Sequence, residues 1–309
     1  MPVIATLTMN PTIDVAYEVD RVFPTHKIRT THEYYNPGGG GINVARVFAR
    51  LGGNVRCLYM SGGATGAALD GLLDLHQIVR TRIPIAGHTR IAMTALEHES
   101  GKEFRFTPAG PQVSEAEWHG ALAALEAVEC EWLVASGSLP PGVPADFYAQ
   151  TARIMARRGI PIVLDTSGDA LKAGLAGGGI DLVKPSRGEL EGLVGRPLPA
   201  IEDVAEASLA LVESGAARIV ATTLGHEGAV LAHADGTLYA PALSIDPQST
   251  VGAGDSFLAA MVHALASGFS SEEAFRHGVA AGSAAVLRPG TDLSRPADIE
   301  ALLPSVRLD

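Results

Sequence analysis

Two glycine-rich segments hold the residue types that could do chemistry in this chain of 309 residues. The later one reads Ser249-Thr250-Val251-Gly252-Ala253-Gly254-Asp255-Ser256-Phe257 and opens into a long apolar stretch with helical spacing. Free N–H groups and the macrodipole at such a helix start favour anions, so a transferring phosphoryl group would be stabilised there. Asp255 stands in the first turn. Its plainer role is a capping carboxylate; its chemical role is general base, polarising a substrate hydroxyl for attack on phosphorus. The dipole and the free N–H groups also predict that this carboxylate stays ionised at neutral pH.

The earlier segment reads Asn36-Pro37-Gly38-Gly39-Gly40-Gly41-Ile42-Asn43-Val44-Ala45. Pro37 ends a strand, and four glycines, more than a turn needs, let the backbone approach a ligand before a helix begins near Ile42. Asn43 offers an amide donor and an acceptor to a polyhydroxy ligand. Other chemistries are excluded by spacing. No GxGxxG opens from a buried strand, and Gly101-Lys102 runs into Glu103 instead of the Ser or Thr of a Walker loop. His32-Glu33 and His98-Glu99 lack the second histidine of a zinc helix, and no GxSxG elbow occurs.

The elements that must position these segments follow from periodicity. Short apolar runs alternate with helical patterns, the signature of a mostly parallel sheet covered by helices. The spacing predicts strands at Val3–Leu7, Val55–Met60, Trp132–Ala135, Pro161–Leu164, Leu182–Val183 and Arg218–Thr223. It predicts helices at Ile42–Leu51, Glu115–Val128, Ala145–Arg157, Val204–Ser214, Thr250–Ser267 and Ser271–Leu287, and a hairpin over Glu227–Ala240. Residues 14–36 and 89–106 alternate in strand fashion with no helix between, which reads as a small inserted sheet or, alternatively, as edge strands of the main one.

Composition narrows the class. A hydrophobic content of 47% supports a large core and excludes a disordered chain. Asp+Glu 34 against Lys+Arg 23 leaves a net charge of −11, which argues against nucleic acid or an anionic membrane as partner. Two cysteines without a CxxC pair fit a reducing compartment. The start MPVIATLTMN lacks a basic n-region and a long apolar h-region, and the expected location is the cytoplasm.

Taken together, the two glycine segments resemble those of the ribokinase-like (PfkB) family of sugar kinases. GGGGINVAR and STVGAGDSF match its two signatures, and Ser136-Gly137-Ser138-Leu139-Pro140-Pro141-Gly142, Lys184-Pro185 with Glu189, and Thr223-Leu224-Gly225 with Gly228 lie between them in family order. The resemblance covers essentially the whole chain. It implies one domain over 1–309 with a three-layer α/β/α fold, a mostly parallel central sheet, and a small β-sheet lid formed by about 14–36 and 89–106. Within the family, the branch that phosphorylates sugar phosphates is most similar, that of the minor bacterial 6-phosphofructokinases, because other branches carry lysine as the third residue of the GGGG motif.

The resemblance implies transfer of the ATP γ-phosphoryl group, with Mg²⁺, to the 1-hydroxyl of fructose 6-phosphate. Enzymatic alternatives are a 1-phosphofructokinase, a tagatose-6-phosphate kinase or a free-sugar kinase; a silent sugar-phosphate sensor is an alternative of another class. Asp255 would be the base, with the N–H groups of Gly252, Ala253 and Gly254 as anion hole. Asp14, Gly39, Gly40, Asn43 and Ser138 would meet the sugar. Lys27, Arg29, Arg90 and Arg105 would supply charge-assisted bonds to its phosphate. Lys184, Ser186, Thr223, Gly225, Gly228 and Ser283 would bind ATP, with Glu189 reaching Mg²⁺ through water. Ser186 stands where the family has Asn, which puts the phosphate and water network in question. A K⁺ site would use Ser249, Val251, Ala285, Arg288 and Gly290. Apolar lid positions such as Val19, Val22 and Tyr35 suggest a homodimer made through the lids.

Overall fold

The computed structural model describes residues 2–249, 251–288, 290 and 292–309, so Thr250 of the later glycine segment lies outside the described residues. The first half of the chain runs β1 (Val3–Thr8), β2 (Thr12–Val19), β3 (His32–Gly38), α1 (Gly40–Arg50), β4 (Asn54–Gly62), α2 (Gly63–Asp74), β5 (Val79–Ile85), β6 (Arg90–Glu97) and β7 (Glu103–Phe106). Next come α3 (Glu115–Ala127), β8 (Trp132–Ser136), α4 (Phe147–Arg157), β9 (Ile162–Asp165), α5 (Gly168–Ala176), β10 (Ile180–Val183), α6 (Arg187–Val194) and α7 (Ile201–Glu213). The chain closes with β11 (Ala217–Thr223), the hairpin β12 (Gly228–His233) and β13 (Gly236–Pro241), and helices α8 (Ala253–Ala266), α9 (Ser271–Val286) and α10 (Pro296–Leu302).

Among the described residues, nine strands form one sheet in the order β13-β12-β11-β10-β9-β8-β1-β4-β5. Pairs from β11 through β5 are parallel, and only the β12 and β13 pairings are antiparallel. Its central strands are apolar on both faces, as a sheet covered on both sides requires. Ile4, Val134, Val163, Leu182 and Ile219 join a buried layer with residues of α1, α8 and α9. Alternate residues Leu7, Leu133, Leu164, Val183 and Val220 join a second layer with α3, α4 and α5. This is a three-layer, ribokinase-like α/β/α fold.

The strand-rich segments form a separate four-stranded sheet, ordered β3-β2-β6-β7, and are not edge strands of the main one. Register decides which side chains share a face. Asp14 lies opposite Asn36 and Ala92, Thr12 opposite Gly38 and Arg90, and Arg105 opposite Thr94. Asp14, Asn36, Arg90 and Arg105 therefore project from one face. The other face carries buried Ile13 and Val15 beside exposed Tyr35, Ile91, Met93 and Phe106. Val19 differs from expectation: it is buried, and Val22 is half-buried, so neither contributes an exposed apolar surface.

Candidate active site

Strands on either side of β1 and β8 progress in opposite directions through the chain, which opens a crevice at their C-terminal ends. The first glycine segment closes over it. A Cβ at Gly40 would stand 2.1 Å from Ser136 Oγ at the end of β8, and one at Gly38 would stand 2.0 Å from Asp14 Oδ2. A Cβ at Gly39 would stand 2.8 Å from Thr8 and one at Gly41 2.7 Å from the Leu7 carbonyl, so all four glycines are required by close packing. This begins α1 at Gly40, two residues earlier than expected, and places Asn43 in its first turn.

Asn43 Nδ2 donates to Asp255 Oδ2 at 2.8 Å, so the two glycine segments meet. Asp255 lies in the first turn of α8, whose N-cap is Gly252. Lys184, only 6% exposed just beyond β10, reaches the same point: a Cβ on Gly254 would be 3.3 Å from its Nζ. Its ammonium pairs with Asp165 Oδ1 at 3.1 Å, and Asp165 Oδ2 accepts from Ser136 Oγ at 3.2 Å. Sequence reasoning missed Asp165; the acid closing the apolar run Ile162–Asp165 was the available signal.

Electrostatics adds a shift to the expected ionisation of Asp255. Burial, reinforced by the negative charge of Asp165, pushes the Asp255 carboxyl up to about 6, against the pull of Asn43 and Lys184. The helix start does not hold it at an ordinary carboxylate value, although it remains mostly ionised at pH 7. Asp14 is likewise pushed up to about 6 by burial, opposed by Arg90 and Arg46. For Lys184 burial works against the charge, but Asp165, Asp255 and Glu189 outweigh it and hold the ammonium above its usual value.

Of the expected nucleotide residues, Lys184, Ser186, Thr223, Gly225 and Gly228 lie at the C-terminal ends of β10 and β11. Ser186 bridges to Thr223, and Thr223 N donates to the Pro185 carbonyl at 2.9 Å. Ser186 is the N-cap of α6: its Oγ accepts from Glu189 N, while Glu189 Oε2 accepts from Ser186 N at 2.7 Å and from Ser186 Oγ at 2.9 Å. Ser186 and Glu189 therefore form a reciprocal capping box at the start of α6. A cavity of 330 Å³ lined by Ser186, Gly188, Glu189, Gly168 and Lys172 lies alongside. Gly225 and Gly228 flank the turn between β11 and β12, and half-buried Ser283 sits on α9.

Among the described residues no three His, Cys, Asp or Glu side chains converge as a metal cage. The one carboxylate among the described residues lining the cavity beside Ser186 is that of Glu189, a lining that fits Mg²⁺ carried on nucleotide phosphates and reached through water, the usual habit of this ion. At the expected K⁺ position, Ser249 Oγ donates to the Gly290 carbonyl at 2.7 Å and accepts from Val251 N at 3.2 Å. The Ala285 carbonyl accepts from Arg288 N at 3.0 Å, and the Arg288 side chain pairs with Asp298.

The four lid cations are not alike. Arg90 donates from NH1 to the Pro108 carbonyl at 2.9 Å and from NH2 to that of Asn10 at 2.8 Å. It lines a cleft of 560 Å³ with Ala109, Ser138, Pro141 and Asp169. Ser138 Oγ accepts from Asn10 Nδ2 at 3.2 Å. Arg105 shares Arg90's face, but its Nε donates to Glu103 at 3.1 Å on the outer strand β7. Lys27 and Arg29 stand exposed between β2 and β3 and form no hydrogen bond with a residue of the site among the described residues.

A sequence model of the pfkB family of carbohydrate kinases matches residues 3–298. The chain is 40% identical over 291 residues to the ATP-dependent 6-phosphofructokinase isozyme 2 of Escherichia coli K12, covering 94% of each. It superposes on phosphofructokinase-2 from Escherichia coli in complex with potassium with a TM-score of 0.94 at 39% identity, covering 99% of both chains. The same enzyme in complex with fructose-6-phosphate gives 0.92 at 38% identity and 99% coverage of both.

Proposed function

The chain belongs to the pfkB family of carbohydrate kinases, and from that premise we propose that it transfers the γ-phosphoryl group of ATP to the 1-hydroxyl of fructose 6-phosphate. The single observation that carries the reading is the pairing of Asn43 with Asp255 at the mouth of α8, with Lys184 beside it. Asp255 accepts the proton of the attacking hydroxyl, and Asn43 holds that carboxylate in place. The N–H groups at the start of α8 and the Lys184 ammonium balance charge on the phosphoryl oxygens. Little else is asked of the protein, since phosphoryl transfer depends on positioning and charge stabilisation.

The sugar lies between Asp14, the glycine loop and Ser138, with its phosphate toward Arg90. That arginine points the reading to a phosphorylated sugar instead of a free one. Glu189 would hold Mg²⁺ through water at the nucleotide phosphates, where the ion supplies neutralising charge. The small sheet acts as a lid, with Asp14, Arg90 and Arg105 facing the substrate. Its outer face, carrying Tyr35, Ile91, Met93 and Phe106, is the surface through which two chains form a dimer. The Ser249–Gly290 contact is where a K⁺ ion would bind, and the chain works in the cytoplasm.

An ADP-release assay with fructose 6-phosphate, fructose 1-phosphate, tagatose 6-phosphate and fructose tests the assignment. The highest kcat/KM should fall on fructose 6-phosphate. A higher value on any other substrate, or no turnover on any, would contradict it.

A further inference from the structure

The GGGGINVAR segment contains one charged residue that the chemistry above leaves unused. Arg46 is 3% exposed, so a guanidinium is buried directly beneath the glycine loop. Its NH1 donates to the Pro37 carbonyl at 3.0 Å and to Asn43 Oδ1 at 3.2 Å, and its NH2 donates to Asn36 Oδ1 at 3.2 Å. A guanidinium has no acceptor, so the Asn43 atom facing it must be the amide oxygen. The amide nitrogen is then turned toward Asp255, which as a carboxylate can only accept. Arg46 and Asp255 thus hold the Asn43 amide in one orientation from its two ends. Without the arginine only the carboxylate holds it, and the amide plane is free to swing about that single bond.

The other two bonds of Arg46 run to the small sheet. Asn36 and Pro37 belong to β3 and lie opposite Asp14 and Ile13 in register. The strand that pairs with the Asp14 strand and the amide that holds Asp255 are therefore tied to the same planar group.

We propose that Arg46 is a positioning residue for phosphoryl transfer, acting through Asn43 to aim the Asp255 carboxylate and linking that aim to the small sheet. The inference rests on the reading of Asp255 as the base. Arg46→Lys keeps the cation but cannot serve three acceptors in one plane. It should melt within a few degrees of wild type, lose at least tenfold in kcat with fructose 6-phosphate, and keep the KM for ATP within twofold. In an Asn43→Ala background the same change should alter kcat by less than twofold, because the group it acts through is gone. Equal losses in both backgrounds, or wild-type kcat in the single variant, would overturn the inference. If Arg46→Lys does not fold, Asn36→Ala carries the same test: a kcat loss that disappears in the Asn43→Ala background supports the link, and no loss or an additive loss overturns it. Asp255→Asn measured alongside separates the two readings. Retained turnover there removes the base and this inference with it, whereas lost turnover with additive Arg46 and Asn43 effects removes this inference alone.

Discussion

Asn43 on α1 donates its side-chain amide to Asp255 on α8 at 2.8 Å, across 212 residues of sequence. The bond joins the loop expected to hold the sugar to the helix start expected to hold the transferring phosphoryl group. With Lys184 against Gly254 and Asp165 behind Lys184, the crevice holds alternating charges whose balance sets when Asp255 is ionised.

Activity should follow that ionisation. With its carboxyl pushed up to about 6, Asp255 works as a base above this pH and is protonated below it. At saturating substrates kcat should be level from about pH 7 to 8 and fall tenfold per unit below about 6. A profile that stays flat down to pH 5 would show that the titrating base lies elsewhere.

Stability should move the opposite way. The Asp255 carboxyl is raised from 3.8 to about 6, so in that window the folded chain keeps a proton that the unfolded chain releases. Stability therefore falls as pH rises through the window, and the full cost is present above it. Asparagine carries no such cost. Asp255→Asn should stabilise the fold at pH 8 by up to about 2 kcal/mol, read as a raised melting temperature, and the gain should vanish near pH 3.5. Gly252 is the N-cap of α8 and no side chain caps it, so a purely structural role for Asp255 would act through the helix dipole and predicts a loss at pH 8 instead of a gain, which calorimetry at the two pH values would detect.

Arg90 and Arg105 should separate kinetically. Arg90→Ala removes a cation from the cleft wall together with its bonds to the Pro108 and Asn10 carbonyls. Charge-assisted bonds contribute about 1.5–3 kcal/mol, so the KM for fructose 6-phosphate should rise at least tenfold, with that for ATP nearly constant. Arg105→Ala, exposed and already paired with Glu103, should raise it only about threefold, the smaller worth of an exposed pair. Equal sugar KM values for Arg90→Ala and wild type would place the phosphate pocket elsewhere.

Gly38→Ala tests the packing of the loop. Its Cβ would fall 2.0 Å from Asp14 Oδ2, so the carboxylate must move. A fall of tenfold or more in kcat/KM for the sugar phosphate should result, with ATP affinity retained. Wild-type kcat/KM would mean that the position of Asp14 does not matter to the reaction.

The layered fold was legible because strands such as Val3–Thr8 and Trp132–Ser136 are short apolar runs flanked by amphipathic helices. Helix α2 left no trace because Gly63, Gly66 and Gly71 dilute its helical signal, and β5 was masked by Arg80, Arg82 and Pro84, residues suited to an exposed edge. At the site, Asp255 and Asn43 stood out within glycine segments. Asp165 and Arg46 did not, because their importance comes from contacts with Lys184 and Asn43 that only the folded chain creates. The rise of Asp255 was not legible for the same reason: the helix start is visible in sequence, while burial beside Asp165 is not.

The most direct test is turnover of Asp255→Asn at saturating fructose 6-phosphate and ATP, with ATP binding measured in parallel. The account predicts a folded protein that binds ATP normally and turns over roughly 10²–10⁴-fold more slowly, the usual worth of a general base. Turnover within about threefold of wild type, well below that range, would contradict it.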